Sequence, residues 1–290
     1  MVWSEKGHGQ NCFGGNGKGV RMLGDFEIIP HKFPENKDIT IYPISDVHLG
    51  AAEHMTREWE LFCMHLMEKP DTYIILGGDL VNNATRTSVS NVYDEKIRPR
   101  EQKRIMAEML KPIKDRILCA VSGNHERRSS KDVDEDITYD IMCKLDLEHL
   151  YRENMAFVKI QMGNTKKDGL RNPTYMLVVT HGAGGGAMTG SAVNKNEKFG
   201  FAIDGADALI VGHTHKPWVT QPGKIKIDPY NNRVSLCSFV LKLTMKSSLT
   251  MVMGAYLNWK YMILTESKVN APQPIKTAGQ FFAFCTFCFT

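Results

Sequence analysis

No window of this chain approaches the roughly 18 consecutive apolar residues that a membrane span requires, so no span is expected among its 290 residues. Met1 to Val20 is glycine-rich and lacks the apolar segment of a secretory signal. Charge of one sign is scarce as well. Lys and Arg number 36 against 32 Asp and Glu, leaving a formal charge of +4, too small to point to nucleic acid on its own. Cysteine is limited to seven scattered residues, several inside apolar runs such as Ile117-Leu118-Cys119-Ala120-Val121. That usage reads as reduced thiols in the cytoplasm rather than a disulfide framework. Cys285 and Cys288 have the spacing of a redox or zinc pair, but no second pair accompanies them. Internal repeats are missing too.

Gly14-Gly15-Asn16-Gly17-Lys18-Gly19 falls short of a phosphate loop, because Cys12 stands where the first glycine belongs and Gly19 where Ser or Thr belongs. Residues 1–23 therefore read as a flexible Gly-rich leader. With 42% hydrophobic residues the chain can bury one sizeable core, and a single domain is expected over 24–270. Residues 271–290 form a tail with an apolar end whose role the residues leave open.

What the chain does have is a series of apolar, β-rich runs that end in metal-ligating side chains. Ile39 to Ile44 leads into Asp46-Val47-His48, Tyr73 to Leu76 into Gly77-Gly78-Asp79, and Ile117 to Val121 into Gly123-Asn124-His125-Glu126. Tyr175 to Thr180 leads into His181, and Ala208 to Val211 into Gly212-His213-Thr214-His215. Helices are expected over Thr56 to Lys69, Asp94 to Lys111 and Asp132 to Leu145, while Phe239 to Leu264 alternates like strands. In α/β sheets, loops past the carboxyl ends of neighbouring strands converge on one crevice.

Two aspartates, four histidines and an amide gather at those strand ends, with no cysteine among them. Oxygen and imidazole donors suit hard or borderline divalent cations used for hydrolysis, and the number is enough for two ions. Asp46 and His48 stand two apart in an expected extended segment, so both side chains can point to one side and share an ion. Asp79 follows two glycines that let the backbone approach closely, and a carboxylate has lone pairs enough to bridge two cations. Asn124 offers a neutral oxygen, which makes sense beside a hard cation already held by stronger ligands. His213 and His215 could divide between two ions if the loop bends at Gly212 and Thr214. Each motif alone is common; five in this order at strand ends are not independent accidents.

In order and spacing the five motifs resemble the calcineurin-like metallophosphoesterase superfamily, from about Ile39 to Pro217. The resemblance implies an α/β fold: a four-layer αββα sandwich of two mixed β-sheets flanked by helices, with a dinuclear centre. It implies a first cation held by Asp46, His48, Asp79 and His215, and a second held by Asp79, Asn124, His181 and His213. Two such cations, about 3.5–4 Å apart, clamp a phosphoryl oxygen and generate a bridging hydroxide for in-line attack. Mn²⁺ is the first expectation for both sites, with Fe²⁺, Zn²⁺ and Ni²⁺ also compatible with these donors. His125 is not a ligand in this assignment and is placed to protonate the leaving oxygen or stabilise the phosphoryl charge.

One branch of the superfamily, the serine/threonine protein phosphatases, carries an Asp three residues after the bridge, which orients the catalytic His, and then a phosphate-gripping Arg. Asn82 and Asn83 occupy those positions here, which argues against a phosphoprotein substrate. Arg127 and Arg128 follow His125 directly and are candidates, with Asn82, to contact substrate. The charges between Lys96 and Arg116, with Glu95, Glu101, Glu108 and Asp115 interleaved, read as a solvated helical face. The leading expectation is a phosphodiesterase or nuclease acting on nucleic acid or a nucleotide. A phosphomonoesterase acting on a nucleotide or small phosphate ester is the alternative, and a non-catalytic scaffold of the same fold a further one.

Overall fold

The computed structural model of the chain describes residues 26–35, 38–52, 54–86, 88, 93, 95–163, 172–184, 188–215, 218–230, 233–238, 240–243, 262–265 and 287–288. The expected leader lies outside the described residues, as does the expected tail except for Phe287–Cys288.

In chain order the elements are β1 (Ile28–Phe33), β2 (Asp38–Ile44), α1 (Thr56–Glu68), β3 (Thr72–Leu76), α2 (Pro99–Leu110), β4 (Ile117–Val121), α3 (Glu126–Val133) and α4 (Ile137–Lys144). There follow β5 (Tyr151–Arg152), β6 (Met155–Met162), β7 (Thr174–Thr180), α5 (Thr189–Phe201), β8 (Ala208–Val211) and β9 (Trp218–Thr220). The last are β10 (Gly223–Asp228), β11 (Arg233–Ser238), β12 (Val240–Leu243), β13 (Met262–Thr265) and β14 (Phe287–Cys288).

One six-stranded sheet runs β14-β13-β2-β3-β4-β5, and a second runs β1-β6-β7-β8-β12-β9. Both are mixed. β2 to β5 are parallel with β13 antiparallel to β2. In the second sheet β7, β8 and β12 are parallel, while β6 and β9 run against their neighbours β7 and β12. β10 and β11 form a separate antiparallel pair.

Sequence pattern explains the layering. β4 and β8 are buried at every residue, as strands covered on both faces must be. β6 buries every second residue instead. Its Ala156, Val158, Ile160 and Met162 share one core with Ile39, Ile41 and Ile74 of the first sheet, whereas Met155 and Phe157 pack in a second cluster with Ala192 and Val193 of α5. Trp59, Phe62 and Leu66 of α1, Met106 and Leu110 of α2, and Ile141 of α4 join the first core. The result is the four-layer αββα order. His31 of β1 ties the sheets together by donating from Nε2 to the Leu118 carbonyl of β4 at 2.8 Å.

Helix boundaries follow local chemistry. α1 buries Trp59, Phe62, Cys63 and Leu66 at helical spacing. α2 begins at Pro99 rather than Asp94, a correction with a clear cause: Arg98 is extended (φ −62°, ψ 144°), because a residue before proline avoids the helical region and proline suits the first helical position. The helix expected over Asp132 to Leu145 is shorter. Asp134 ends α3 in a left-handed conformation (φ 58°), and the Asp136 side chain caps α4 by accepting from the Tyr139 N–H at 3.0 Å. No helix among the described residues is long and apolar enough to cross a membrane.

Candidate metal centre

All five motifs follow the carboxyl ends of strands, three in the first sheet (β2, β3, β4) and two in the second (β7, β8). The loops are laced together by their backbones: the Asp46 N–H donates to the Gly78 carbonyl and the His48 N–H to the Asp79 carbonyl, both at 3.0 Å. Asp46, His48, Asp79, His213 and His215 all have positive φ, between 49° and 68°. The extended geometry expected for Asp46 and His48 is therefore corrected, and the bend expected at Gly212 and Thr214 falls on His213 and Thr214. Non-glycine residues in this region cost energy and persist where surrounding structure holds them, often at functional sites. Gly123 is needed for a different reason: a Cβ there would stand 2.1 Å from Asp79 Oδ1.

The donors fall into three overlapping groups: Asp46, His48 and His215; His48, Asp79 and His125; and Asp79, His181 and His213. Asp79 belongs to the last two, and His125, expected only as a catalyst, stands among the donors with its Nε2 3.8 Å from Asp79 Oδ2. His215 Nε2 lies 2.9 Å from Asp46 Oδ1, and His48 Nε2 lies 3.9 Å from that oxygen and 3.8 Å from Asp79 Oδ2. Across the bridge, His181 Nε2 is 3.2 Å from Asp79 Oδ2. Asn124 Oδ1 is 2.9 Å from His181 Nε2 and 2.6 Å from His213 Nδ1. Both carboxylates use one oxygen for anchoring. Asp79 Oδ1 accepts from the His125 N–H at 2.8 Å, and Asp46 Oδ2 accepts from Ser45 Oγ at 2.5 Å and the His213 N–H at 3.2 Å. Their other oxygens face the imidazoles.

These residues fit divalent cations. His48 is buried, yet neither ring nitrogen has a hydrogen-bond partner, an expensive arrangement unless a ligand accepts the lone pair. His181 donates from Nδ1 to the Gly77 carbonyl at 2.8 Å, the support that fixes the ring of a metal-binding histidine. Its Nε2 then confronts two oxygens, a contact that requires positive charge between them, from a proton or from a metal. Without metal the proton does this: burial opposes it, but the hydrogen bond and charge of Asp79 prevail and hold the His181 pKa up at about 9. Burial takes His48 the other way, down to about 3, against the pull of Asp79. Burial and the nearby His181 also lower His213. Neutral imidazoles are the form that binds metal.

The sequence matches the calcineurin-like phosphoesterase family over residues 39–217. The chain belongs to the calcineurin-like phosphoesterase family. No curated protein matches it. Among solved structures, it is similar to a conserved protein of Streptococcus pneumoniae TIGR4 described as a predicted phosphoesterase, at 12% identity and TM-score 0.32, over 78% of this chain and 82% of that one. A protein of unknown function from Aquifex aeolicus gives 13% identity and TM-score 0.32 over 61% and 80%. At that TM-score neither likeness bears on the site.

Around this family's centre, His125 is held by partners that fix its tautomer. Nδ1 faces the Asn82 carbonyl at 2.8 Å and must donate to it. Nε2 faces Arg128 Nη2 at 3.0 Å and must accept, so the ring is neutral. Burial lowers its pKa, with Asp79 opposing and Arg128 reinforcing. Arg128 also donates from Nη1 to the Asn82 carbonyl at 3.1 Å. Two of the residues expected to contact substrate have partners within the protein. Arg127 is engaged with the carbonyls of Ser122 (3.2 Å) and Glu153 (3.0 Å). The Asn82 side chain turns to Glu95 at 3.0 Å, so its backbone rather than its amide addresses His125.

Sequence reasoning missed two anchoring residues. Ser45, adjacent to Asp46, fixes that carboxylate. Glu126, the last residue of the third motif, accepts four backbone N–H groups. Oε2 takes those of Asp79 and Gly123, both at 3.0 Å, and Oε1 those of Leu80 (2.6 Å) and Val81 (3.2 Å). It staples the loops after β3 and β4.

Proposed function

We propose that the chain hydrolyses a phosphodiester, of a nucleic acid or nucleotide, at a dinuclear centre. Family membership supports a hydrolase of phosphoester bonds with a divalent metal centre. The observation that carries the dinuclear reading is the position of Asp79 Oδ2, which faces His48 at 3.8 Å and His181 at 3.2 Å and belongs to two of the donor groups. Asp46, His48, Asp79 and His215 would hold one ion, and Asp79, Asn124, His181 and His213 the other. Bound there, the ions supply Lewis acidity toward a phosphoryl oxygen and charge that offsets the in-line transition state. The protein's own residues do the rest. Arg128 offers a fixed positive charge to a non-bridging oxygen. An arriving phosphoryl anion that displaces Arg128 from His125 favours the imidazolium, whose Nε2 then donates to the leaving oxygen.

The preference for a diester rests on the amides. Asn82 and Asn83 direct their side chains to Glu95 and Ser129, so among the described residues Arg128 is the cationic side chain that touches the cluster through His125. One such cation suits a diester monoanion better than a monoester dianion. The donor set suits Mn²⁺, with Fe²⁺, Zn²⁺ and Ni²⁺ as substitutes. Cys63 and Cys119, buried and unpaired, suit a cytoplasmic setting. The test compares hydrolysis of bis(4-nitrophenyl) phosphate and 4-nitrophenyl phosphate by the Mn²⁺-loaded protein. A faster rate on the diester supports the reading, and a clear preference for the monoester replaces it with the phosphomonoesterase.

A further inference from the structure

We propose that Glu95 and Gln102, which lie outside all five motifs, are positioning residues that hold the loop after Asp79 so that the Asn82 carbonyl fixes the His125 imidazole; the assignment rests on the phosphoesterase reading above. Glu95 lies half-buried in the segment before α2, which bends at Lys96 and Ile97. Its Oε1 accepts from Asn82 Nδ2 at 3.0 Å and the Ala84 N–H at 2.9 Å. Its Oε2 accepts from Gln102 Nε2 at 2.9 Å. Gln102, fully buried in the first turn of α2, shares that amide NH₂ with the Ile97 carbonyl at 2.7 Å, and its Oε1 accepts from the Asn83 N–H at 2.9 Å. Three consecutive loop residues are thereby clamped by two side chains. The same loop meets the catalytic side directly: the Asn82 carbonyl accepts from His125 Nδ1 at 2.8 Å, and Asn83 Nδ2 donates to the His125 carbonyl at 2.9 Å.

The direction of every link is fixed. The Asn83 N–H can only donate, which sets the Gln102 amide with its oxygen toward the loop and its NH₂ toward Glu95. Residue 95 must then accept on both oxygens, and only a carboxylate does so. An amide at 95 would set an NH₂ either against Gln102 or against the Asn82 and Ala84 donors. Reversing Gln102 to relieve the first clash would set its own NH₂ against the Asn83 N–H. Gln102 cannot simply shift. A Cβ on Gly50 would stand 2.1 Å from its Nε2, so the amide is seated directly on the backbone of the loop that follows the first ligand pair.

The test uses the 290-residue chain loaded with Zn²⁺ and bis(4-nitrophenyl) phosphate as substrate. Glu95→Gln is expected to lower kcat by about 10- to 100-fold, as loss of a supporting hydrogen bond does, with KM and bound metal close to wild type and a melting temperature lower by about 3–12 °C, as loss of one charged hydrogen bond gives. In ¹⁵N-histidine spectra the His125 Nδ1–H signal, assigned with His125→Asn, is expected to shift or broaden. Glu108→Gln, on the exposed face of α2, is the control and leaves kcat unchanged. Gln102→Met, which removes the acceptor from the Asn83 N–H, is the second variant if Glu95→Gln fails to fold. An unmoved His125 signal with unchanged kcat overturns the proposal, as does loss of fold in both variants, which would assign the pair to stability alone. If wild type hydrolyses no phosphate ester, the phosphoesterase reading fails while the His125 signal still decides the positioning.

Discussion

Replacing Glu126 with Gln removes one oxygen from the staple between two site loops, and the cost can be worked from its four contacts. Each carboxylate oxygen accepts two backbone N–H groups, those of Asp79 and Gly123 on one and those of Leu80 and Val81 on the other. Whichever way the new amide turns, its NH₂ faces two donors, so two hydrogen bonds to a charged acceptor are lost. At roughly 1.5–3 kcal/mol each, the loss is about 3–6 kcal/mol, a large fraction of the 5–15 kcal/mol or so by which a domain is stable. At about 2–4 °C per kcal/mol the melting temperature should fall by about 6–24 °C. The protonation state matters, because Gln mimics a neutral acid well. Burial and the Asp79 carboxylate push the Glu126 pKa up to about 7 against its backbone donors, a cost of ionisation that Gln escapes and that offsets part of this loss, so unfolding followed by circular dichroism at pH 8 should show a fall at the lower end of that range. A fall below about 1 kcal/mol there, smaller than a single charged hydrogen bond, would refute the claim that an ionised carboxylate holds these loops.

Further outcomes follow from the same contacts. Arg128→Met should keep the bound metal and lower kcat/KM on a diester by about 10- to 100-fold, the worth of one charge-assisted hydrogen bond; an unchanged value would remove Arg128 from the substrate site. His125→Asn should likewise keep the metal but slow turnover by about 10²–10⁴-fold, and steady-state rates equal to wild type would assign His125 to packing. Burial lowers the pKa of His31, with its bond to Leu118 opposing. The unfolded chain therefore binds the extra proton, and stability drops as pH falls below about 6.5. His31→Gln should flatten that acid limb in urea titrations at pH 8, 6.5 and 5, and an equally steep limb would show that His31 carries none of it.

Much of the architecture was legible because the central strands are short apolar runs. β3, β4 and β8 are buried along almost their whole length, and each ends within a few residues of a motif, so the convergence of five loops follows from strand direction alone. α3 was not legible, since Glu-Arg-Arg-Ser-Ser-Lys-Asp-Val carries no apolar stripe. β6 alternates visibly over Met155–Met162, a signal that the motif-centred reading passed over. The dihedrals of the site were hidden. Residue spacing cannot show that Asp46, His48, Asp79, His213 and His215 adopt positive φ, because the preference belongs to the surrounding hydrogen bonds rather than to the residues. The supporting carboxylates were hidden for a related reason. Glu95 sits in a run of mixed charges and reads as solvated, yet its neighbour Pro99 delays the helix and leaves the segment free to turn toward Asn82. Partners in space rather than in sequence decide whether such a charge faces water or a site.

The central claim is that one carboxylate, Asp79, joins two cation sites. It is tested most directly by counting metal in the purified 290-residue chain by elemental analysis after loading with Mn²⁺ and removal of excess, alongside Asp79→Asn. Two equivalents per chain in wild type and a loss at both sites in the variant are expected, because Asp79 Oδ2 faces both His48 and His181. Fewer than one equivalent in wild type, or a variant that still binds two, would contradict the account.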